Sequence, residues 1–146
     1  MRLIVLLFAL SSLVSCSDPK QINAVLRTAD RSEGAAEIVS EVANRTGMKL
    51  ARRQFEYGGK DGTQLSFTLD DFDTVMQVQS SLEDCNRLDP CFSSTRYKVS
   101  IYAKWPWISD ASLGVLGDAI RDSAKAHGGT VVLNPRSINN VRDWQP

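Results

Sequence analysis

The sequence predicts an α+β fold, with a mostly antiparallel sheet of about four strands and helices packed on one face of it. Polar and apolar residues alternate from Thr95 to Lys104, which is typical of a strand with one buried and one wet face. Apolar residues recur with helical spacing in residues 35–43 and 113–124. Helices gathered on one side of an antiparallel sheet would bury both kinds of apolar surface economically.

The first elements of the predicted domain are a segment with two readings and a helix. Asp18-Pro19 suits a helix start, and several apolar residues after it share a helical face: Ile22, Val25, Leu26 and Ala29. Alternation of Ile22, Ala24 and Leu26 would instead make a strand. Asp30 to Glu33 has the form of a capping box, and Gly47 the form of a C-cap. The apolar stripe between them consists of Ala35, Ile38, Val39, Val42 and Ala43.

A β-hairpin follows, with predicted strands over Met48–Tyr57 and Thr63–Leu69 and turn glycines between them. Leu50 and Phe55 are an odd number of residues apart, so in a regular first strand their side chains would lie on opposite faces. A bulge near Arg52-Arg53 would bring both onto one face. The glycine-rich turn lacks the order of a phosphate-binding loop and links two strands, so it predicts no nucleotide site.

The acidic run Asp70–Asp73 predicts the start of another helix, running to about Asp84. Carboxylates are stabilising at a helix N-terminus and no EF-hand spacing surrounds them, so capping is favoured over metal binding. The expected inward residues are Phe72, Val75, Met76 and Leu82. If residues 22–28 form a strand, the first six elements follow the β-α-β-β-α-β order of a ferredoxin-like arrangement, with an α-β addition.

The last predicted elements are the long strand, a helix and a short strand. Trp105-Pro106-Trp107 ends the long strand, because proline cannot donate to a ladder. Ser109 or Asp110 caps the helix, which Gly128-Gly129 closes, and Thr130–Leu133 forms the short strand. The stripe of this helix consists of Leu113, Leu116, Ile120, Ala124 and His127.

The N-terminus has the pattern of a secretory signal peptide: Arg2, then an apolar run from Leu3 to Leu10. That run is shorter than the roughly 20 apolar residues that span a bilayer. Leu13-Val14-Ser15-Cys16 follows, and with the leader it resembles the lipobox of bacterial lipoproteins. The resemblance covers only this leader. It implies that residues 1–15 are cleaved and that Cys16 carries diacylglycerol and an amide-linked acyl chain, such as palmitate.

The resemblance also implies a location. Ser17, rather than Asp, follows the cysteine, which in lipoproteins favours the outer membrane, with the domain facing the periplasm. The expected organisation is a signal peptide over 1–15, an anchor, tether and possible first element over 16–29, and one α+β domain over 30–146. An ordinary cleaved signal, with Cys16 unmodified, is the alternative.

Composition narrows the function. Lys+Arg and Asp+Glu are 17 each in 146 residues, and this balance argues against nucleic-acid binding and against electrostatic attachment to anionic lipid. Cys85 and Cys91 remain once Cys16 is assigned to the anchor, and in an oxidising compartment they are expected to form a disulfide. Closing that short loop would add about 2 kcal/mol of stability. A redox pair is the rival interpretation, but the spacing is not Cys-x-x-Cys.

The strongest binding signal is on the wet face of the long strand and just beyond it. The predicted partner-binding residues are Arg96, Lys98, Tyr102, Lys104, Trp105 and Trp107. Aromatic residues combined with arginine are typical of interface hot spots. The alternative is a solvated sheet face whose lysines prevent edge pairing, with the tryptophans covering the next helix.

No catalytic residue, metal site or cofactor is predicted. His127 is the sole histidine, it lies where a helix ends, and no Gly-x-Ser-x-Gly elbow accompanies it. We therefore expect a non-catalytic module that binds a periplasmic protein, for example an inhibitor or immunity protein against an envelope-targeting enzyme. The alternatives are an accessory subunit of a cell-envelope or secretion assembly, and a small cell-wall or lipid hydrolase.

Overall fold

The computed structural model describes residues 20–29, 33–56, 63–83 and 91–133. The elements in chain order are β1 (Gln21–Arg27), α1 (Gly34–Thr46), β2 (Lys49–Glu56), β3 (Thr63–Asp70), β4 (Thr74–Glu83), β5 (Cys91–Ala103), α2 (Asp110–Ala126) and β6 (Thr130–Leu133). The leader with its lipobox, residues 30–32 of the capping box, the hairpin turn and Cys85 lie outside the described residues.

The described strands form one antiparallel sheet in the order β2-β3-β4-β5-β1-β6. The predicted α+β class with an antiparallel sheet is confirmed, but the sheet has six strands rather than about four. Long β5 pairs with β4 on one side and β1 on the other. The predicted strand with one buried and one solvated face is confirmed. The strand reading of residues 22–28 is confirmed, and β1 lies inside the sheet between β5 and β6.

The core lies between the two helices and one face of the sheet. α1 packs over β2 and β3, while α2 packs over β1, β5 and β6, and the helices also contact each other. Both predicted helical stripes are buried there, except that Ala43 is only partly buried and His127 is exposed. The sheet contributes alternating residues of each strand, among them Ile22, Leu26, Phe67, Leu69, Met76, Val78, Tyr97, Val99 and Ile101. The opposite side of the sheet is called the open face below.

The predicted helix over residues 70–84 is wrong, because residues 74–83 form strand β4. Met76 and Val78 point into the core from alternate positions, whereas Phe72 and Leu82, expected to face inward, are 79% and 60% exposed. Valine and threonine suit a pleated, half-buried strand better than a helix. Without this helix the ferredoxin-like order of the first six elements is also wrong.

The predicted hairpin is confirmed as β2 and β3, but its bulge is wrong. The register runs without a break from Lys49 opposite Asp70 to Glu56 opposite Thr63. Leu50 therefore lies on the core side and Phe55 on the open face. Leu50 is 38% exposed because β2 is an edge strand that α1 covers only in part, and Phe55 is 46% exposed because no helix covers the open face in the described part of the chain.

The helix ends follow local chemistry. Gly47 is the C-cap of α1 with φ of 73°, a left-handed conformation that favours glycine, as predicted. Glu33 stands at the N-cap and makes no side-chain cap bond. Ser109 caps α2 as predicted, because its Oγ accepts a hydrogen bond from the amide N of Ser112.

Candidate functional site

Three exposed aromatic side chains meet at one end of the sheet: Phe72, Trp105 and Trp107, called the aromatic cluster below. Phe72 lies in the β3–β4 turn, and the tryptophans lie in the loop after β5. The two indoles stack with centroids 5.4 Å apart and planes 4° apart, and the Phe72 ring lies 6.1 Å from that of Trp105. Trp107 is 71% exposed and Trp105 38%. Exposed apolar surface gathered in one place is typical of an interaction site.

Hydrogen bonds hold the aromatic cluster in place. The indole Nε1 of Trp105 donates to the carbonyl of Phe72 over 3.1 Å, and the amide of Lys104 donates to the carbonyl of Asp73 over 2.8 Å. The Lys104 ammonium pairs with the Asp70 carboxylate, which joins the end of β5 to the end of β3. The loop and the turn are therefore fixed to each other before any ligand arrives.

The acidic run caps a turn rather than a helix. Asp71 Oδ1 accepts hydrogen bonds from the amides of Asp73 and Thr74, over 2.8 and 2.6 Å, and from the Thr74 hydroxyl over 3.0 Å. A short aspartate side chain can satisfy a turn backbone as well as a helix N-terminus. The expectation that these carboxylates cap backbone amides holds for Asp71, but the element that they cap was predicted wrongly.

The chain enters the domain beside the aromatic cluster. The Lys20 carbonyl accepts a hydrogen bond from the amide of Ala103 over 3.1 Å. The Lys20 ammonium lies 3.2 Å from the Asp110 carboxylate and donates to the Ile108 carbonyl over 3.0 Å. The first described residue is thus held at the same end of the sheet as Trp105 and Trp107.

A second surface, on the open face, is basic. Among the residues that the structure describes, five exposed cations lie on it, from three strands: Arg27, Lys49, Arg53, Arg96 and Lys98. Arg27 lies directly opposite Arg96 in the β1–β5 register. Like charges directly opposite each other in antiparallel strands are destabilising. Asp70, on the same face, is paired with Lys104.

The six predicted partner-binding residues fall into two regions rather than one. Lys104, Trp105 and Trp107 lie at the end where β5 stops, whereas Arg96 and Lys98 lie near the middle of the strand. Nine residues at about 3.3 Å each separate Arg96 from Trp105 by roughly 30 Å. Tyr102 lies on the open face near the aromatic cluster and is half-buried. The structure therefore divides the predicted surface.

Sequence reasoning missed Phe72, Arg27, Lys49 and Arg53 as surface residues. Phe72 was assigned to the inner face of a helix that does not form. Arg27 lies an odd number of residues from Ile22, so the strand reading of β1 would have placed it on the open face. Lys49 and Arg53 are four residues apart in β2, so in a strand without a bulge both side chains lie on one face. An unbroken hairpin register would have placed both on the open face.

A groove of about 640 Å³ lies where β3 and β4 separate. Their ladder stops at Ser66 opposite Gln79, and β4 is irregular just beyond Ser80, whose Oγ accepts a hydrogen bond from the Leu65 amide over 3.0 Å. The groove lining is mostly polar and includes Arg52, Gln54, Glu56, Phe92 and Ser94. In this described lining no nucleophile is hydrogen-bonded to a base.

His127 connects the two helices. Its Nε2 lies 2.9 Å from Glu41 Oε2, and its Nδ1 lies 3.5 Å from Glu37 Oε2. The hydrogen bond from His127 is the main cause that lowers the pKa of the Glu41 carboxyl, and Arg45 on the same helix adds to it. This C-cap histidine therefore has a structural role that needs no ligand.

The predicted disulfide cannot be placed, because Cys85 lies outside the described residues, and it stays a prediction. Neither α1 nor α2 is long and apolar enough to cross a membrane. Among residues 20–29, 33–56, 63–83 and 91–133, no three His, Cys, Asp or Glu side chains are grouped to hold a metal ion.

Comparison with protein-family models, curated proteins and solved structures found no match.

Proposed function

We propose that this chain is a lipoprotein anchored through Cys16 to the outer membrane, where its domain holds an acidic protein partner in the periplasm without catalysis. The observation that carries the binding part is the basic open face. The whole chain has a formal net charge of zero, so these exposed cations reflect a separation of charge and not a basic composition. Such a surface favours rapid, oriented association with an acidic patch.

The Arg27–Arg96 pair points to a ligand most directly. Two guanidinium groups placed opposite each other in register repel, which costs stability in the isolated domain. A carboxylate placed between them would remove that repulsion and accept paired hydrogen bonds, a geometry to which arginine is well suited. We therefore place the centre of the partner-binding surface on Arg27, Arg96 and Lys98.

The anchoring part of the proposal depends on the leader. Leu13-Val14-Ser15-Cys16 follows a charged start and an apolar run, and Ser17 favours the outer membrane. The periplasm would also allow Cys85 and Cys91 to form a disulfide. An inhibitor or immunity protein against an envelope-targeting enzyme fits this location, because it needs a rigid complementary surface and no chemistry of its own.

Affinity capture with the acylated full-length protein tests the proposal. The captured protein is identified from an envelope extract and purified, and its Kd is measured for the wild type and for Arg96→Ala. We expect Arg96→Ala to weaken binding at least tenfold, about 1.4 kcal/mol, and added salt to weaken wild-type binding. Lys125→Ala is the matched control, because it removes an exposed cation from the far side of the helical layer.

Equal Kd values for Arg96→Ala and Lys125→Ala would contradict the proposed surface. A single captured enzyme that loses activity on binding identifies an inhibitor, whereas co-purification with several envelope proteins would make the chain an assembly subunit. Turnover of peptidoglycan or phospholipid by the chain alone would contradict the absence of catalysis. An unmodified Cys16 thiol in the mass spectrum would contradict the anchor.

A further inference from the structure

We infer that the aromatic cluster inserts into the headgroup region of the bilayer that holds Cys16, and that this contact orients the domain on the membrane. The inference rests on the proposed lipidation and adds to it a second, independent membrane contact. It assigns Phe72, Trp105 and Trp107 to lipid and leaves the protein partner to the open face.

Chain length places the cluster near the membrane. Lys20 is bonded to Ala103, directly before the loop that carries the tryptophans. Three residues lie between Cys16 and Lys20, and the four Cα–Cα steps that join them span at most about 14 Å in an extended chain. β5 is 13 residues long, so its opposite end lies roughly 40 Å away along the strand. The end of the domain closest to an acylated Cys16 is therefore the end that exposes the aromatic rings.

The chemistry of this end suits a membrane interface. Tryptophan prefers the headgroup region, because its ring is apolar and its N–H is polar. The Trp105 Nε1 already donates to the Phe72 carbonyl, so it loses no hydrogen bond on leaving water. Asp73, next to Phe72, has no ion pair within the described residues, so its carboxylate has to stay in water. Lys104 is paired with Asp70 and Lys20 with Asp110, and the Asp71 carboxylate accepts hydrogen bonds from two backbone amides. Pairing reduces the cost of bringing these groups towards lipid.

A protein partner is the other occupant that exposed aromatic rings could bind. The bilayer is favoured because the anchor would hold it within about 14 Å of the domain at all times. Tethering turns a weak contact into an intramolecular one, with a high effective concentration. Three exposed rings that would hold a free protein only weakly to lipid are then sufficient to hold an acylated one in a fixed orientation.

Fluorescence quenching by brominated lipid tests this inference. The acylated full-length protein is reconstituted into phosphatidylcholine vesicles whose acyl chains carry bromine or do not. We expect bromine to quench the larger share of the emission, because two of the three tryptophans belong to the cluster. The quenching that disappears when both are replaced, as Trp105→Phe with Trp107→Phe, is the part that the cluster contributes, and we expect it to be the larger part.

A pair of phenylalanine variants separates this contact from general effects on the fold. Phe72→Ala should reduce quenching, because it removes a ring of the cluster. Phe55→Ala is the matched control and should leave quenching unchanged. Phe55 is also exposed, but it lies opposite Gln64 at the other end of the sheet. Equal loss in both variants would overturn the inference.

Two failures are distinguishable. Protein that floats with the vesicles but shows equal emission with and without bromine would overturn the inference while leaving the lipid anchor intact. The same holds if cluster emission changes only when the captured periplasmic partner is added, since the rings would then belong to a protein interface. A bare Cys16 thiol in the mass spectrum would overturn the proposed anchor and this inference with it.

Discussion

Truncation of Val78 and of Leu82 should affect stability very differently, because β4 presents the first to the core and the second to water. Val78 is fully buried, opposite Val99 of β5 and Phe67 of β3, whereas Leu82 is 60% exposed. A helix over residues 70–84, with Leu82 inward, would make the leucine the costly position. The pair of variants therefore tests the strand itself.

The magnitude follows from the buried groups. Val78→Ala removes two methyl groups, worth about 0.8 kcal/mol each in transfer free energy. The cavity left behind adds about 1 kcal/mol more, since the sheet cannot close around it completely. We therefore expect a loss of about 2.5 kcal/mol for Val78→Ala and less than about 1 kcal/mol for Leu82→Ala.

Urea unfolding followed by circular dichroism measures both variants. With a slope of 1–3 kcal/mol per molar urea, which is typical of small domains, Val78→Ala should lower the midpoint by roughly 0.8–2.5 M. Unchanged slopes would show that the denatured state is not altered. A larger midpoint shift for Leu82→Ala than for Val78→Ala would refute both the strand and the inward face assigned to it.

Three further predictions concern the helix connection, the open face and the turn before β6. Glu41→Gln should lower the urea midpoint at pH 7, and the difference from the wild type should vanish in acid. His127 lowers the folded-state pKa of the Glu41 carboxyl, so the stabilisation by the ionised carboxylate is complete above the unfolded-state pKa. It is lost as the pH falls through the folded-state pKa. A double-mutant cycle of Arg27→Gln and Arg96→Gln, measured as free energies of unfolding, should show that the two arginines repel each other by about 0.5 kcal/mol at low salt and by less in molar salt. No coupling at low salt would contradict this repulsion. Gly129→Ala should destabilise by about 1–3 kcal/mol in urea unfolding, because its Cβ would lie 2.6 Å from the Arg27 carbonyl; a neutral result would contradict this close approach.

The sequence predicted most of the helices and strands in which the apolar residues have regular spacing and are also the residues that are buried. Val99 and Ile101 alternate with Lys98 and Ser100 because β5 is covered on one side only, and that is the pattern a half-buried strand produces. The stripe of α2 and the Ser109 cap were likewise predicted from local chemistry. Each of these elements buries one face, so a short window of sequence contains the information.

The failed predictions have tertiary causes. The apolar residues in 70–84 fit both helical and strand spacing. Hydrogen bonding to β3 and β5 favours the strand, and neither neighbour is visible in the local sequence. The acidic turn before β4 imitates a helix start, because aspartate caps both kinds of backbone in the same way. Opposite parity of Leu50 and Phe55 indicated a bulge only if both had to be buried, and an edge strand imposes no such need.

Individual residues of the candidate surfaces could be predicted from the sequence, but which of them lie next to each other in the fold could not. Arg96 and Trp105 are close in sequence, yet an extended strand separates them by roughly 30 Å. Phe72 joins Trp105 only because the β3–β4 turn folds next to the end of β5, which is a long-range contact. A single sequence contains no local signal for such a juxtaposition.

The two proposed surfaces are compatible because the centre of the basic surface, at Arg27, Arg96 and Lys98, lies further along the strands than the aromatic cluster. With the aromatic cluster in the headgroup region, the strands rise from the membrane, and Arg96 stands seven residues above Ala103, at roughly 23 Å. That height exceeds two Debye lengths at physiological salt, so anionic headgroups compete little for the arginines. Arg27 and Arg96 would then remain available to an acidic protein in the periplasm, whereas a domain lying flat on its open face would bring these cations onto the lipid. The orientation that the aromatic rings impose is therefore also the one that keeps the basic surface free for its partner.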